Sequence, residues 1–445
     1  MNLRRWLTPG IGVKRWLLVA FLGLLLLALG VAHLLRQLSR DLEPGGLAGA
    51  VIDVATLQFL PYPLRGLIVG GVGVVLLALG AYRVMRVVTD PLRTSDADQP
   101  LVEVIYQKRF LARGPRIVAI GGGTGLSALL RGLKEHTSNL TAVVTVADDG
   151  GSSGVLRTEL GIPAVGDIRN CIVALADAEP LMGELLQYRF PVADAGAASG
   201  EGPGLAGHAV GNLLLAAMTA IEGGDFEEGV RRINRILAVR GQVVPVTATP
   251  LTLHAECRDG SIVDGQSLIM LTRDIDRVWV TPEGVSASED ALAAIADAEL
   301  IVLGPGSLYT SLLPSLLLPA IRDALLAASA PRVFVCNVAT QDGETAGLDL
   351  AAHVEAVVAH TAPGLVDIVL ANNRLDARTP PDWPAETVRL HWPPEAVRPA
   401  PRLILDDVVD VENARRHDPA KLATALMHAL EAETANRRRT VGRTA

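Results

Sequence analysis

Cysteine is scarce in this 445-residue chain, and its three copies lie far apart. Cys171, Cys257 and Cys336 are odd in number and fit neither a disulfide framework nor a zinc-ligand spacing. A reducing compartment is the natural reading. A basic excess is missing too. The net charge of −8 argues against non-specific nucleic-acid binding by the whole chain. No Gly-Lys-Ser/Thr closes a Walker A loop, and no Ser-His-Asp grouping, His/Cys metal cluster or redox cysteine pair is visible.

What is present begins with two long apolar runs. Trp16 to Leu35 is twenty residues without a formal charge, His33 aside. Gly66 to Tyr82 is seventeen apolar and Gly residues, extendable towards Phe59. Both approach the roughly 20 residues that span a bilayer as helix. The spacing predicts a membrane hairpin over 1–90, with spans at about 16–35 and 64–82. Arg4, Arg5, Lys14 and Arg15 precede the first span. Arg83, Arg86, Arg93, Lys108, Arg109 and Arg113 follow the second. The positive-inside rule then expects both termini in the cytoplasm, at the inner face of the membrane.

Residues 91–114 read as a linker. From Arg116 onwards strands and helices alternate, which predicts an α/β fold, a doubly wound, mostly parallel Rossmann-like sheet over 115–433. Residues 242–282 interrupt the alternation. There Val and Thr alternate with polar residues, and Asp259-Gly260 signals a hairpin turn. This stretch is expected to be a β-rich insertion or an antiparallel extension of the sheet. Residues 434–445 read as a basic, disordered tail.

In parallel sheets ligands bind beyond the carboxyl ends of strands, so the segments after each strand matter most. After Ile120 comes Gly121-Gly122-Gly123-Thr124-Gly125, a turn that can wrap an anion at a helix N-terminus. It is not the dinucleotide fingerprint, because the third glycine position is Leu126. After Ala147 comes Asp148-Asp149-Gly150-Gly151-Ser152-Ser153-Gly154. Its carboxylates can hold a metal or accept bonds from sugar hydroxyls, and its small residues free backbone N–H groups for a phosphate. The metal candidate is Mg²⁺, on Asp148 or Asp149, with ligand phosphate completing the shell. Gly304-Pro305-Gly306-Ser307 is a second glycine turn. Asn337 follows one further predicted strand and Asn372 another. Five such ends on one sheet edge point to a composite nucleotide site.

Two further groups have no fixed place in this scheme. Asp167 is a candidate N-cap in Gly166-Asp167-Ile168-Arg169-Asn170, and Arg169 a candidate phosphate partner. His208 and Asn212 fall at i and i+4 in a predicted helix, on one face. His208, Asp148 and Asp149 are the candidate catalytic groups, with Asn170 and Asn212 as ligand-binding candidates.

With these motifs the chain resembles the YvcK/CofD-like family. The carriers are Gly121 to Ser127, Thr145 to Gly154, Gly166 to Cys171, Gly207-His208 with Gly211-Asn212-Leu213, Gly304 to Ser311, and Cys336-Asn337 with Thr340-Gln341. The match runs from about 115 to about 430. The YvcK branch implies a gluconeogenesis factor, a bacterial protein needed for cell shape on gluconeogenic carbon sources that binds UDP-sugars such as UDP-N-acetylglucosamine. The CofD branch implies a Mg²⁺-dependent transferase that moves a phospholactyl group to a deazaflavin precursor. The Asp-Asp-Gly-Gly-Ser-Ser-Gly and Gly-Asp-Ile-Arg-Asn-Cys stretches look more like the YvcK branch. Val155 departs from a basic residue common in the family, Ala164-Val165 from Pro-Pro and Ser315 from Asn.

The resemblance therefore favours a membrane-tethered UDP-sugar-binding regulator. A CofD-type transferase and a scaffold without a ligand are the alternatives. Self-association is left open, and no nucleic-acid partner is expected.

Overall fold

The computed structural model describes residues 110–176, 180–191, 204–376, 385–394 and 397–444, and four isolated positions before 110. The chain divides into Met1–Arg109 and Phe110–Ala445. Apart from three of these isolated positions, both expected membrane spans lie outside the described residues, as does most of the linker. No single helix among the described residues is long and apolar enough to cross a membrane.

Strands β1 (Ile117–Gly121), β2 (Leu140–Val144), β3 (Gln242–Pro245), β7 (Leu300–Leu303), β8 (Arg332–Val335), β9 (Ile368–Asn372) and β10 (Arg402–Asp406) form one sheet. Its order is β10-β9-β8-β7-β1-β2-β3, and every neighbouring pair is parallel. Ile117 registers with Leu140 on one side and with Leu300 on the other. β1 and β7 are buried along their whole length. They read as unbroken apolar runs because helices cover both faces of a parallel sheet.

Helix α1 (Gly123–Leu133) buries Leu126, Leu129, Leu130 and Leu133, the i, i+3, i+4, i+7 stripe of an amphipathic helix. After β2 come α2 (Gly151–Leu160), α3 (Gly166–Leu175), α4 (Pro180–Gln187), α5 (Val210–Ile221) and α6 (Phe226–Ile236). The chain then reaches the sheet edge as β3 and crosses back to pair β7 with β1. The strand order reverses there, so the crevice between the β1 and β7 ends is the topological switch point.

The expected β-rich insertion divides in two. Gln242–Pro245 is the parallel edge strand β3, because Val243 and Val244 bury against β2. The remainder is a separate antiparallel sheet of order β5-β4-β6, made of β4 (Thr252–Cys257), β5 (Ile262–Asp264) and β6 (Ile275–Thr281). The Asp259-Gly260 turn joins β4 to β5, with Gly260 at φ 81 and Asp259 Oδ1 accepting from Ser261 N. A four-residue helix, α7 (Gln266–Ile269), follows β5.

The second half supplies α8 (Glu289–Asp297), a π-helical turn over Leu308–Leu312, α9 (Leu313–Leu316), α10 (Pro319–Ala327), α11 (Leu350–His360) and α12 (Pro419–Thr444). The basic segment expected to be a disordered tail continues α12 instead. No Pro or Gly interrupts it before Gly442, and Arg437 donates to Ser329 O. All three cysteines are buried free thiols, in keeping with the absence of a disulfide framework.

Candidate functional site

Because the seven strands are parallel, all five polar segments emerge on one edge of the sheet. Three of the helices that start there lack a side-chain cap. α1, α2 and α3 follow Gly122, Gly150 and Val165, none of which makes a capping bond. Elsewhere Asp225 caps α6 and Asp349 caps α11. Uncapped N–H groups are available to an anion, and the helix dipole favours one.

The switch point holds a cavity of about 290 Å³. One wall is the start of α1, Gly123-Thr124-Gly125, and the next is Pro305-Gly306-Ser307 after β7. Asn337, Thr340 and Gln341 after β8 continue the wall, and Arg415-Arg416-His417 complete the lining. A Cβ on Gly125 would stand 2.8 Å from Pro305 O, so only glycine lets the two loops meet. Asn337 Nδ2 donates to Gly306 O at 2.8 Å, and Gln341 Nε2 donates to Ser307 Oγ at 2.8 Å. Gly304 extends the β1–β7 pairing by donating to Ile120 O.

Arg415, Arg416 and His417 were invisible to strand-end reasoning. They lie beyond β10, just before the Asp418 cap that accepts from Ala420 N and Lys421 N. A basic pair directly before a capped helix was the available signal. Arg416 is exposed at the cavity, and Arg415 Nε donates to Asn413 Oδ1. His417 is buried and donates Nε2–H to Cys336 O at 3.2 Å. Burial pushes its pKa down to about 4, so the ring is neutral.

The two aspartates after β2 part company. Asp149 Oδ1 accepts from Ser267 N at 2.8 Å and Ser267 Oγ at 2.7 Å, which ties this loop to α7. Asp148 turns the other way. Its Oδ1 accepts from Gly150 N, and its Oδ2 lies over Gly166. No three His, Cys, Asp or Glu side chains among the described residues group as a metal site. Asp149 is occupied by Ser267, so a Mg²⁺ ion here would rest on Asp148 and its ligand's phosphates.

Asp167 is not the N-cap of α3. Val165 holds that position, and Asp167 is the second helical residue. Although the residue is partly exposed, its carboxylate is deep under the glycine loop. It accepts from the Gly123 N–H, and a Cβ on Gly122 would fall 2.4 Å from its Oδ2. Glycine at 122 makes room for this brace. Burial, with Asp148 adding, pushes the pKa of Asp167 up to about 6.

His208 and Asn212 do come together, but not on one helix face, because His208 precedes α5. Ser152 joins them. His208 Nδ1 and Ser152 Oγ are 3.0 Å apart, and Asn212 Nδ2 donates to Ser152 Oγ at 3.0 Å. The hydroxyl therefore directs its own proton to His208. Arg169 Nη1 donates to Asn212 Oδ1 and Nη2 to Asn170 Oδ1, each at 3.0 Å. Arg169 is thus a buried strut rather than an open phosphate partner. Ser153 packs over Gly166, and Gly151 takes φ 46 at the start of α2. Asn372 braces the β9 end through Arg374 O and Val408 N, away from the cavity lining.

Fold and site together define a doubly wound α/β protein with an anion-suited cavity at its switch point. A family model described as 2-phospho-L-lactate transferase CofD matches residues 117–382. The gluconeogenesis factor of Bacillus subtilis (strain 168) is 43% identical over 334 residues, covering 72% of this chain and 100% of that protein. A Nostoc sp. relative described as "Putative gluconeogenesis factor" is 41% identical over 446 residues, covering 95% of this chain and 91% of its own. The crystal structure of protein BH3568 from Bacillus halodurans shares 42% identity at a TM-score of 0.63, covering 71% of this chain and 100% of that one. The chain belongs to the CofD family, and its homologues include gluconeogenesis factors. The Nostoc alignment reaches into the residues before 110.

Proposed function

We propose that the chain is a membrane-tethered regulator that binds a UDP-sugar such as UDP-N-acetylglucosamine and supports cell shape during gluconeogenic growth. The switch-point cavity carries this reading. It brings the uncapped start of α1 and the residues Arg415 and Arg416 to one cavity, an arrangement suited to a diphosphate held by amide dipoles and guanidinium groups. Its volume of about 290 Å³ suits the diphosphate and part of a nucleoside. The gluconeogenesis-factor relatives supply the physiological setting. The apolar runs at 16–35 and 64–82 supply the tether, with the α/β unit on the cytoplasmic side.

Calorimetry on the full-length chain with UDP-N-acetylglucosamine tests the binding. Heat is expected with wild type and a much weaker isotherm with Arg416→Ala. No heat with wild type refutes the reading. In sealed cells an external protease should spare residues 110–445, and their digestion would overturn the orientation.

The second reading is a CofD-type transferase. It is favoured by the matched family model and by the convergence of Asp148 and Asp167 beside the glycine loop. It requires Mg²⁺-dependent release of GMP from a guanylated phospholactate donor when a deazaflavin acceptor is present.

A further inference from the structure

Parallel pairing leaves β10 (Arg402–Asp406) as one border of the seven-stranded sheet. Arg402 N donates to Asp367 O, and Asp406 O accepts from Asn373 N. Residues 402, 404 and 406 therefore turn their peptide groups towards β9, and Leu403 and Leu405 turn theirs outward. Among the described residues nothing bonds the backbone N–H or C=O of either leucine on that side.

The remaining sheet edges are blunted. At β3, the opposite border, the outward C=O of Val243 accepts from Asn234 Nδ2 at 2.8 Å, and Pro245 has no N–H to offer. In the antiparallel sheet β5 has only 3 residues, and the free edge of β6 gives the Val278 N–H to His360 Nε2 at 3.1 Å. β10 carries no proline or lysine, and Leu405 is 45% exposed. An open edge of this kind is a template for another strand.

The sequence Arg402-Leu403-Ile404-Leu405-Asp406 is complementary to itself. Pairing two copies antiparallel, about a two-fold axis at Ile404, sets Arg402 of each against Asp406 of the other. It also sets Leu403 against Leu405 on the opposite face, which covers the exposed leucine. In this register Leu403 and Leu405 form a hydrogen-bonded pair, so every outward N–H meets an outward C=O. A slip of one residue would oppose an outward group to one already used by β9. The charges are free to pair. Glu433 holds Arg402 through Nη1 alone, and Asp407 N occupies only Oδ1 of Asp406.

We propose that β10 is the contact strand of a symmetric homodimer, in which two copies of this chain join their sheets through an antiparallel β10 pair. The interface is isologous and closes on itself, so it ends at two copies.

The test is oxidative cross-linking of the full-length chain purified in detergent. Across the axis the two Ile404 Cα atoms would lie about 4.5 Å apart, within disulfide reach. Most of the Ile404→Cys variant should run at twice the monomer mass under mild oxidant and return on reduction. Wild type, whose cysteines are buried, should not cross-link, nor should Leu271→Cys, at a site 72% exposed. Adding Leu405→Pro removes an outward N–H but no bond to β9, and adding Asp406→Arg sets like charges across the axis. Each should slow cross-linking of Ile404→Cys at least tenfold. A folded Ile404→Cys protein that stays monomeric overturns the proposal. So does cross-linking as fast in Leu271→Cys, or a rate unchanged by both added substitutions. These outcomes are independent of UDP-sugar binding, and the covalent link reports β10 whether or not the N-terminal segments associate.

Discussion

Replacing Asp167 by Asn should stabilise the protein at pH 8 and leave it nearly unchanged at pH 4. The carboxylate lies under the glycine loop, and burial raises its pKa from 3.8 to about 6. A carboxyl group raised in the folded state favours the protonated form. Its contribution is complete below 3.8 and is lost as the pH rises through about 6. That interval corresponds to about 3 kcal/mol of destabilisation at pH 8. Asn is close in shape and can still accept from the Gly123 N–H, so it escapes most of this cost. In a unit of this size about 2 °C of melting temperature accompanies each kcal/mol. The variant should therefore melt about 5 °C above wild type at pH 8. Scanning calorimetry of both proteins at pH 4, 6 and 8 measures the difference. A gain no larger at pH 8 than at pH 4 would show that Asp167 ionises freely, and the argument from burial would fail.

Other consequences are as direct. Arg416→Ala should weaken UDP-N-acetylglucosamine binding about tenfold or more in calorimetry, the worth of one charge-assisted bond to phosphate, with little change in melting because the side chain is exposed. Gly125→Ala would drive its methyl to 2.8 Å from Pro305 O and force the two glycine loops apart. A loss of about 1–3 kcal/mol in denaturant unfolding is expected, together with weaker ligand binding. Ser152→Ala should remove about 1–2 kcal/mol by leaving His208 and Asn212 without their shared partner. A double-mutant cycle with His208→Ala should show coupling, and simple additivity would mean the contact carries no energy.

Much of this was legible because parallel sheets advertise themselves. Unbroken apolar runs such as Ile117 to Ile120 and Leu300 to Leu303 mark strands buried on both faces, and the glycine or polar segment after each marks the ligand edge. Adjacent side chains diverge, so it was also foreseeable that Asp148 and Asp149 would differ. Which one turns inward was not, because that depends on Ser267, 118 positions away in the antiparallel sheet's own helix. The same limit hid Arg415 and Arg416. They reach the cavity only because β10 lies at the far edge and α12 runs back over α1, a tertiary fact that the basic pair before a capped helix does not by itself reveal. Val243 and Val244 read as part of the insertion because an edge strand and an antiparallel strand share one alternation.

Asp167 and His417 should also hide each other's pH dependence. His417 donates to Cys336 O as a neutral ring, and burial lowers its pKa from 6.5 to about 4. Its stabilisation is complete above 6.5 and is lost as the pH falls through about 4, a loss of about 3 kcal/mol. Asp167 changes by a similar amount in the opposite direction over nearly the same range. Between pH 4 and 6 the two slopes largely cancel in wild type. His353 and His360, also lowered by burial, add to the histidine side, and Glu344, pushed up to about 7 by burial, adds to the acid side. Each single substitution should therefore unmask the other group. Asp167→Asn should lose stability more steeply than wild type as the pH falls from 6 to 4. His417→Gln, whose amide can still donate to Cys336 O, should gain stability over the same interval. The double variant should return to a slope close to that of wild type, because the two groups share no partner. Chemical denaturation at pH 4, 5 and 6 of all four proteins decides it. Parallel curves for the two single variants would mean that neither group's burial controls its proton.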